Sequence, residues 1–143
     1  MTAADSALAW RAITVLHRYC RAIDHHDAEA LKDVFSEDAE LVAGEQTFAG
    51  RDTVVEILAS LFGQRQWARH SVSNPLVDVE PDGTVVVRSY FHYVLSREPD
   101  ATLGLGDYHV RLTEVDGNLL ITRFHAAILD EVTVARRLEE PIP

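Results

Sequence analysis

The second half of the chain alternates long β-rich runs with short turn sequences, and this alternation restricts the fold most strongly. Runs rich in β-branched and aromatic residues favour strands, and they predict strands over residues 70–79, 84–96, 103–115 and 119–129. Pro81-Asp82-Gly83 and Asp116-Gly117 are typical of tight turns, and residues 97–100 are predicted to form a loop. Strands joined by such short connections pair antiparallel, so the sequence predicts an antiparallel meander. Pro75 indicates an edge position or a bulge in its strand.

The first half has helical periodicity instead. Apolar residues recur at helical spacing or follow capping sequences in three segments, which predict helices over residues 5–23, 28–35 and 53 to about 62. Asp27 stands in the N-cap position of the second helix. Thr53 and Glu56 have the spacing of a capping box, which predicts that the third helix opens there.

Between the second and third helices, residues 39–43 and 46–49 are predicted to pair as a small hairpin around Gly44-Glu45. Three helices followed by a meander predict an α+β fold, with the helices packed on one face of a curved sheet. A curved sheet closed by helices forms a cone with an interior cavity, and such a cavity suits a small molecule.

The totals are those of one ordinary globular domain. The 143 residues are 47% hydrophobic and 25% charged, which is enough for a single core. We therefore predict one domain over residues 1–143, with a charged C-terminal tail over 131–143 that is partly mobile or covers a neighbour.

The net charge of -10 argues against binding of nucleic acid, whose phosphates require clustered Lys and Arg, and it disfavours an anionic membrane surface. Cys20 is the only cysteine, so no intrachain disulfide can form, which fits a reducing compartment. We find neither a signal-peptide pattern nor an apolar stretch long enough to span a bilayer. We therefore expect a cytoplasmic protein that binds neither nucleic acid nor membrane.

The order of elements, with particular residues, resembles the nuclear-transport-factor-2-like superfamily, and within it the SnoaL-like group of polyketide cyclases and scytalone-dehydratase-like enzymes. The residues that carry the resemblance are Tyr19 with Asp24, Asp27-x-x-x-Leu31 with Phe35, Phe48-x-Gly50-Arg51, His70 with Asn74, Gly106-x-Tyr108, and Asp116-Gly117. They extend over nearly the whole chain. The resemblance implies a cone-shaped α+β barrel, NTF2-like or cystatin-like, with three N-terminal helices on a curved and mostly antiparallel sheet.

The resemblance also implies a catalytic pair. Dehydratases of this superfamily place an Asp at the end of the first helix and a His at the start of a strand, and by position these are Asp24 and His70. The His takes a proton, and the Asp orients the His. Tyr19 matches a tyrosine that one such dehydratase places five residues before its Asp. The alternative for the pair is structural, with Asp24 capping the adjacent turn and His70 on the surface.

Further candidates for contacts with a substrate follow from strand alternation. Asn74 lies on the same side of its strand as His70 and can reach the same cavity; alternatively, it forms a turn before Pro75. His92, in the central strand, is a candidate second acid or base, although a lone His in an apolar strand is more often a core or interface residue.

Asp107 and His109 lie on the polar side of their strand, and Tyr108 lies on the apolar side. If the polar side faces the cavity, Asp107 and His109 are site candidates; if the apolar side faces the cavity, they are solvated. The alternation favours solvation, and the position of His109 near a known site residue of the family favours the cavity. We expect no metal site. His25-His26 are adjacent in a turn, where two rings rarely point at one ion, and no zinc-type spacing accompanies them.

The sequence thus indicates a cofactor-free lyase or isomerase that removes a proton from a small, mostly apolar cyclic substrate. Removal of the proton leads to dehydration, isomerisation or cyclisation of the substrate. One alternative is a non-catalytic module of the same fold that binds a hydrophobic ligand or mediates assembly. Another is the small subunit of a ring-hydroxylating dioxygenase, which shares the fold. Because apolar sheet surface usually needs covering, we expect a homodimer, with a trimer as the alternative.

Overall fold

The computed structural model describes residues 1–135, and within that range the chain forms three α-helices, one short 3-10 helix and seven strands. The helices are α1 (Ser6–Asp24), α2 (Ala28–Val34) and α3 (Arg51–Ser60), followed by the 3-10 helix Phe62–Gln64. The strands are β1 (Thr2–Ala3), β2 (Phe35–Ala43), β3 (Gln46–Ala49), β4 (Ala68–Val79), β5 (Val85–Arg97), β6 (Asp100–Val115) and β7 (Asn118–Ala135). No helix in this range is both long and apolar enough to cross a membrane.

All seven strands join one sheet in the order β1-β4-β5-β6-β7-β2-β3. The pair β2–β7 is parallel, and every other pair is antiparallel. The three helices pack against this curved sheet, so the predicted α+β fold is confirmed. The packing places the C-terminal end of α1 beside the start of β4, where the candidate site lies.

Helix α1 follows its sequence pattern closely. The Asp5 side chain accepts a hydrogen bond from the Leu8 amide at 2.8 Å and thereby caps the first turn. The buried face carries the predicted apolar residues, and Leu16 and Tyr19 lie at its centre. His26, with φ of 56°, reverses the chain after the helix, and Asp27 caps α2 as predicted.

The third helix begins earlier than predicted. It starts at Arg51 after Gly50, whose φ of 92° suits glycine, and the Val54 amide donates to the Gly50 carbonyl at 2.9 Å. Thr53 and Glu56 are therefore inside the helix, and the predicted capping box is wrong. Phe35 also differs from its prediction, because it begins β2 and does not end α2.

The predicted turns are confirmed, but β4, β6 and β7 are longer than predicted. Asp116 and Gly117, with φ of 51° and 80°, form the two-residue turn between β6 and β7. Asp100 pairs with Arg97 in one direction and with Ala135 in the other. The expected loop 97–100 is thus a two-residue turn, and residues 131–135 continue β7 where a tail was expected. The rest of that tail, 136–143, lies outside the described residues.

Two glycines on the inner face of β6 make room for aromatic rings from β5. A Cβ added at Gly104 would lie 2.2 Å from Tyr93 Cζ. One added at Gly106 would lie 2.1 Å from the Ala127 carbonyl oxygen and 2.7 Å from Phe91 Cε1. The inner face of the sheet therefore depends on side chains being absent at these two positions.

We predict that Gly106→Ala destabilises the fold by about 1–3 kcal/mol, since its Cβ meets a backbone oxygen that cannot move independently. Urea unfolding followed by circular dichroism measures the change. Gly63→Ala is the matched control, because a Cβ there meets nothing within 4 Å. Equal unfolding free energies for the two variants would contradict the packing described.

Candidate active site

Asp24 and His70 form a hydrogen-bonded pair at the junction of α1 and β4. His70 Nδ1 lies 2.6 Å from Asp24 Oδ1, and the His70 amide donates to Asp24 Oδ2 at 2.9 Å. The His70 side chain is 11% exposed and the Asp24 side chain is 8% exposed. Both carboxylate oxygens are therefore occupied by one residue, and this arrangement fixes the orientation of the imidazole. Neither the capped turn nor the surface histidine of the structural alternative matches this geometry.

The pair engages one ring nitrogen of His70 and leaves the other free. In the neutral imidazole, a hydrogen bond from Nδ1–H to Asp24 leaves the lone pair on Nε2. Nε2 has no hydrogen-bond partner within residues 1–135. His70 lines the cavity, whereas Asp24 lies behind it. An imidazole with these contacts can accept a proton from a molecule in the cavity.

The cavity has a volume of about 840 Å³, which is the size of a small-molecule site. It lies between the inner face of the sheet, the β2–β3 hairpin and the end of α3. Most of its wall is apolar, and the residues concerned include Leu41, Phe48, Ile57, Leu58, Phe91, Leu95, Phe124 and Ile128. An apolar ring system would therefore be desolvated favourably here.

Two tyrosines line the cavity with hydroxyls that have no hydrogen-bond partner within the described range. The Tyr19 ring packs at 4.3 Å on Phe124 and edge-on to Tyr108 at 6.3 Å. Burial raises the pKa of Tyr19 far above its usual range, with a further contribution from Cys20. Burial likewise raises the pKa of Tyr108, and Tyr19 adds to this. Both phenols stay protonated and can act as hydrogen-bond donors.

Two arginines in the cavity wall were not predicted from the sequence. Arg65 precedes β4, and Arg97 ends β5. Burial lowers the pKa of Arg65, and the charge of Asp24 acts in the opposite direction. Two nitrogens of Arg65, Nε and Nη2, are buried without a partner in the described part of the chain. Arg65 lies outside every periodic pattern, so only the tertiary structure shows that it lines the cavity.

Tyr93 and Glu131 form a second polar pair in the wall. The Tyr93 hydroxyl donates to Glu131 Oε2, and the Tyr93 ring stacks on His70 with centroids 5.7 Å apart. Burial raises the pKa of Tyr93, and the hydrogen bond to Glu131 adds to the shift. Glu131 reaches the cavity because β7 extends past its predicted end. The extension thus completes one side of the site.

Asn74 does not reach the cavity. It adopts a φ of 52° at the bulge between Ser73 and Leu76, and its side chain is exposed. Asn tolerates this left-handed conformation better than most residues, and Pro75 follows it. This position fits the alternative that Asn74 forms a turn before Pro75. The expectation that Asn74 contacts a substrate is therefore corrected.

His92, Asp107 and His109 also lie away from the cavity. In β6 the buried side carries Tyr108 and Val110, so His109 is exposed and Asp107 is half-buried on the other side. His92 is exposed on the matching side of β5. The polar residues of these strands therefore face outward, which corrects their assignment to substrate binding. Residues 1–135 contain no cluster of three potential ligands placed to hold a metal.

The chain belongs to the SnoaL-like domain family, which it matches over residues 7–125. This confirms the resemblance to the SnoaL-like group of the nuclear-transport-factor-2-like superfamily. No functionally curated protein matches the chain by sequence at a significant level.

Solved structures with the same fold are distant in sequence. A protein from Novosphingobium aromaticivorans, provisionally assigned as a scytalone dehydratase, is 21% identical with a TM-score of 0.79, over 92% of this chain and 91% of that one. A provisional aromatic ring hydroxylase from the same organism is 20% identical with a TM-score of 0.78, over 90% and 92%. Hexachlorocyclohexane dehydrochlorinase from Novosphingobium barchaimii is 14% identical with a TM-score of 0.82, over 95% and 96%. At these identities the likeness establishes the fold.

We predict that Cys20 is inert in the folded protein. Burial raises the pKa of its thiol to about 12, and the charge of Asp24 adds to the shift, so almost no thiolate exists at pH 8. Ellman's reagent should therefore react with Cys20 only after unfolding in urea. Reaction of the native protein at the rate of a free cysteine would contradict the burial described.

Proposed function

We propose that this protein is a cofactor-free lyase or isomerase in which His70 removes a proton from a carbon next to an activating group. The proposal is based on the Asp24–His70 pair, in which His70 engages both carboxylate oxygens and the His70 side chain lies in the cavity wall. Asp24 keeps the proton on Nδ1 and stabilises the imidazolium that forms. This division of labour is that of a base and the group that orients it.

In the proposed reaction the C–H bond breaks, its proton forms the Nε2–H bond, and its electron pair moves toward the activating carbonyl. Tyr19 donates a hydrogen bond to the developing oxyanion, since its hydroxyl is free and stays protonated. The imidazolium then returns the proton, either to a departing hydroxyl, which leaves as water, or to another carbon. The first course is dehydration and the second is isomerisation.

The substrate is a small and mostly apolar cyclic molecule, because the cavity of about 840 Å³ has predominantly apolar walls. The names of proteins with similar structures, a provisional scytalone dehydratase and a dehydrochlorinase, are consistent with elimination chemistry. The alternative is a binding module that holds a hydrophobic ligand in this cavity without turnover. Proton exchange distinguishes the two functions, because a binding module would exchange nothing.

The test is deuterium exchange into a panel of apolar cyclic ketones incubated with the protein in D₂O and followed by proton NMR. This readout reports proton abstraction whichever product follows. We expect exchange with at least one ketone, and a loss of roughly 100-fold or more in His70→Ala and Asp24→Asn. Tyr19→Phe should retain the fold and lose part of the rate, since it lacks only the donor.

His17→Ala is the matched control, because His17 is exposed on α1 and outside the cavity. Circular dichroism and thermal unfolding establish that each variant is folded. Exchange that persists unchanged in folded His70→Ala would refute the assignment of the base. Absence of exchange in the native protein across the panel would favour the binding module.

We also propose that the protein is a homodimer formed through an outer apolar patch, defined as Leu103, Leu105, Val132 and Val134. Leu103 pairs with Val132, so these side chains lie together on the outer face of the sheet. They are 39–53% exposed. Burying such a patch removes apolar surface from water, at about 25 cal/mol per Å².

Light scattering after size exclusion should give twice the chain mass for the native protein and one chain mass for Val132→Glu. A charge placed in the middle of a buried interface costs several kcal/mol unless it is paired. Val115→Glu is the control, since Val115 is similarly exposed at 42% and lies at the other end of β6. A native monomer would refute the dimer, and three chain masses would support the trimer.

A further inference from the structure

Glu131 lines the cavity because strand β7 contains a bulge. Ile128 and Asp130 pair with adjacent residues of β6, so Leu129 is the extra residue of the bulge. An extra residue reverses the alternation of inward and outward side chains along a strand. Ile128 lines the cavity, and strict alternation after it would have turned Asp130 inward; the bulge turns Glu131 inward instead.

A row of residues across three strands joins Glu131 to the rest of the wall. Gly104 of β6 pairs with Tyr93 on one side and with Glu131 on the other. Because Gly104 has no side chain, the Tyr93 ring lies over it, and the Tyr93 hydroxyl donates to Glu131 Oε2. The Tyr93 ring also stacks on His70 with centroids 5.7 Å apart. The row therefore connects the Glu131 carboxylate to the part of the wall that carries His70.

The Glu131 carboxylate can accept a further hydrogen bond. Tyr93 engages only Oε2, and Oε1 has no hydrogen-bond partner within residues 1–135. The Glu131 residue is exposed as well as lining the cavity, so a ligand can reach it. An ionised carboxylate accepts hydrogen bonds and donates none. This part of the wall therefore suits a ligand group that donates.

The charges around Glu131 favour a neutral donor. The carboxylate itself repels an anion. Arg97 lines the same cavity. Burial raises the pKa of Tyr93, whereas the charge of Arg97 acts on that pKa in the opposite direction, so Arg97 lies near the pair and repels a cation. A hydroxyl group is a donor without charge and meets both conditions.

We propose that Glu131 accepts a hydrogen bond from a hydroxyl group of the substrate. The substrate class is then a neutral cyclic ketone with a hydroxyl on the carbon β to its carbonyl. This inference rests on the proposed function, which supplies the removal of a proton from the carbon between these two groups. It adds a residue that recognises the leaving group.

The contact with Glu131 selects dehydration as the outcome. His70 takes the proton from the α-carbon, and the C–H electron pair forms the enolate. The C–O bond to the hydroxyl then breaks as the enolate electrons form the C=C bond. The leaving oxygen keeps the C–O electron pair and takes the proton from His70, so it departs as water. The hydrogen bond to Glu131 raises the electron density on this oxygen, which assists its protonation.

The test is isothermal titration of the protein with 2-tetralol, 2-methoxytetralin and 2-aminotetralin, which share one ring system. The alcohol has a neutral donor, the ether has no donor, and the amine is a cation at about pH 7. We expect the native protein to bind the alcohol roughly tenfold or more tightly than the ether or the amine, as one hydrogen bond to a charged group allows.

Glu131→Ala should abolish the preference for the alcohol over the ether. Glu131→Gln should keep part of it, because the amide oxygen still accepts but carries no charge. Tyr93→Phe should weaken it, since the hydrogen bond that holds Glu131 is lost. The readout is binding and needs no turnover. If His70 is not the base, deuterium exchange is absent while the preference persists, so the two proposals fail separately.

Glu56→Ala is the matched control, because Glu56 is exposed on α3 and outside the cavity. It should keep the full preference, and circular dichroism establishes that each variant is folded. Equal affinities of the native protein for the alcohol and the ether would overturn the proposal. So would tighter binding of the amine, no binding of any of the three compounds, or a preference that survives in Glu131→Ala.

Discussion

The two hydrogen bonds from His70 to the carboxylate of Asp24 join the end of the first helix to the start of β4. One comes from the backbone and the other from the ring, so the carboxylate sets both the path of the strand and the orientation of the imidazole. Neighbouring residues of the cavity wall are positioned relative to this pair. Tyr93 stacks on the oriented ring, and Arg65 lies just before the strand that the carboxylate holds.

The inner wall of the cavity is formed by aromatic rings of β5 that lie over glycines of β6, where no side chain competes for the space. Phe91 and Tyr93 lie over Gly106 and Gly104, and Tyr108 stacks on Phe91 with centroids 4.0 Å apart. The result is an apolar wall with a few polar groups at fixed positions. Within such a wall each hydrogen bond is stronger than in water. In the proposed function, an orienting carboxylate and a phenol donor at fixed positions would direct a substrate that has few polar atoms of its own.

The sequence predicted the features that have local causes. Periodicity located α1 and the long strands, and Asp116-Gly117 located its hairpin. The resemblance identified Asp24 and His70, whose separation in the chain conceals their contact. For β6 the alternation favoured Tyr108 on the inner side, which the structure shows, whereas the resemblance favoured the cavity for His109. Gly104 and Gly106 leave space for rings on the inner side, and this space appears only in the folded sheet. Arg65 was missed because it lies outside every periodic pattern and reaches the cavity wall only in the folded protein.

We propose that Asp24 holds His70 as a neutral imidazole with its proton on Nδ1 and its lone pair on Nε2. Long-range proton–nitrogen NMR of the uniformly ¹⁵N-labelled protein tests this directly, with His70→Ala used to assign the ring. The account predicts a single tautomer with a protonated Nδ1, and a change to mixed tautomers in Asp24→Asn. A His70 ring that carries its proton on Nε2, or that averages between tautomers in the native protein, would contradict it.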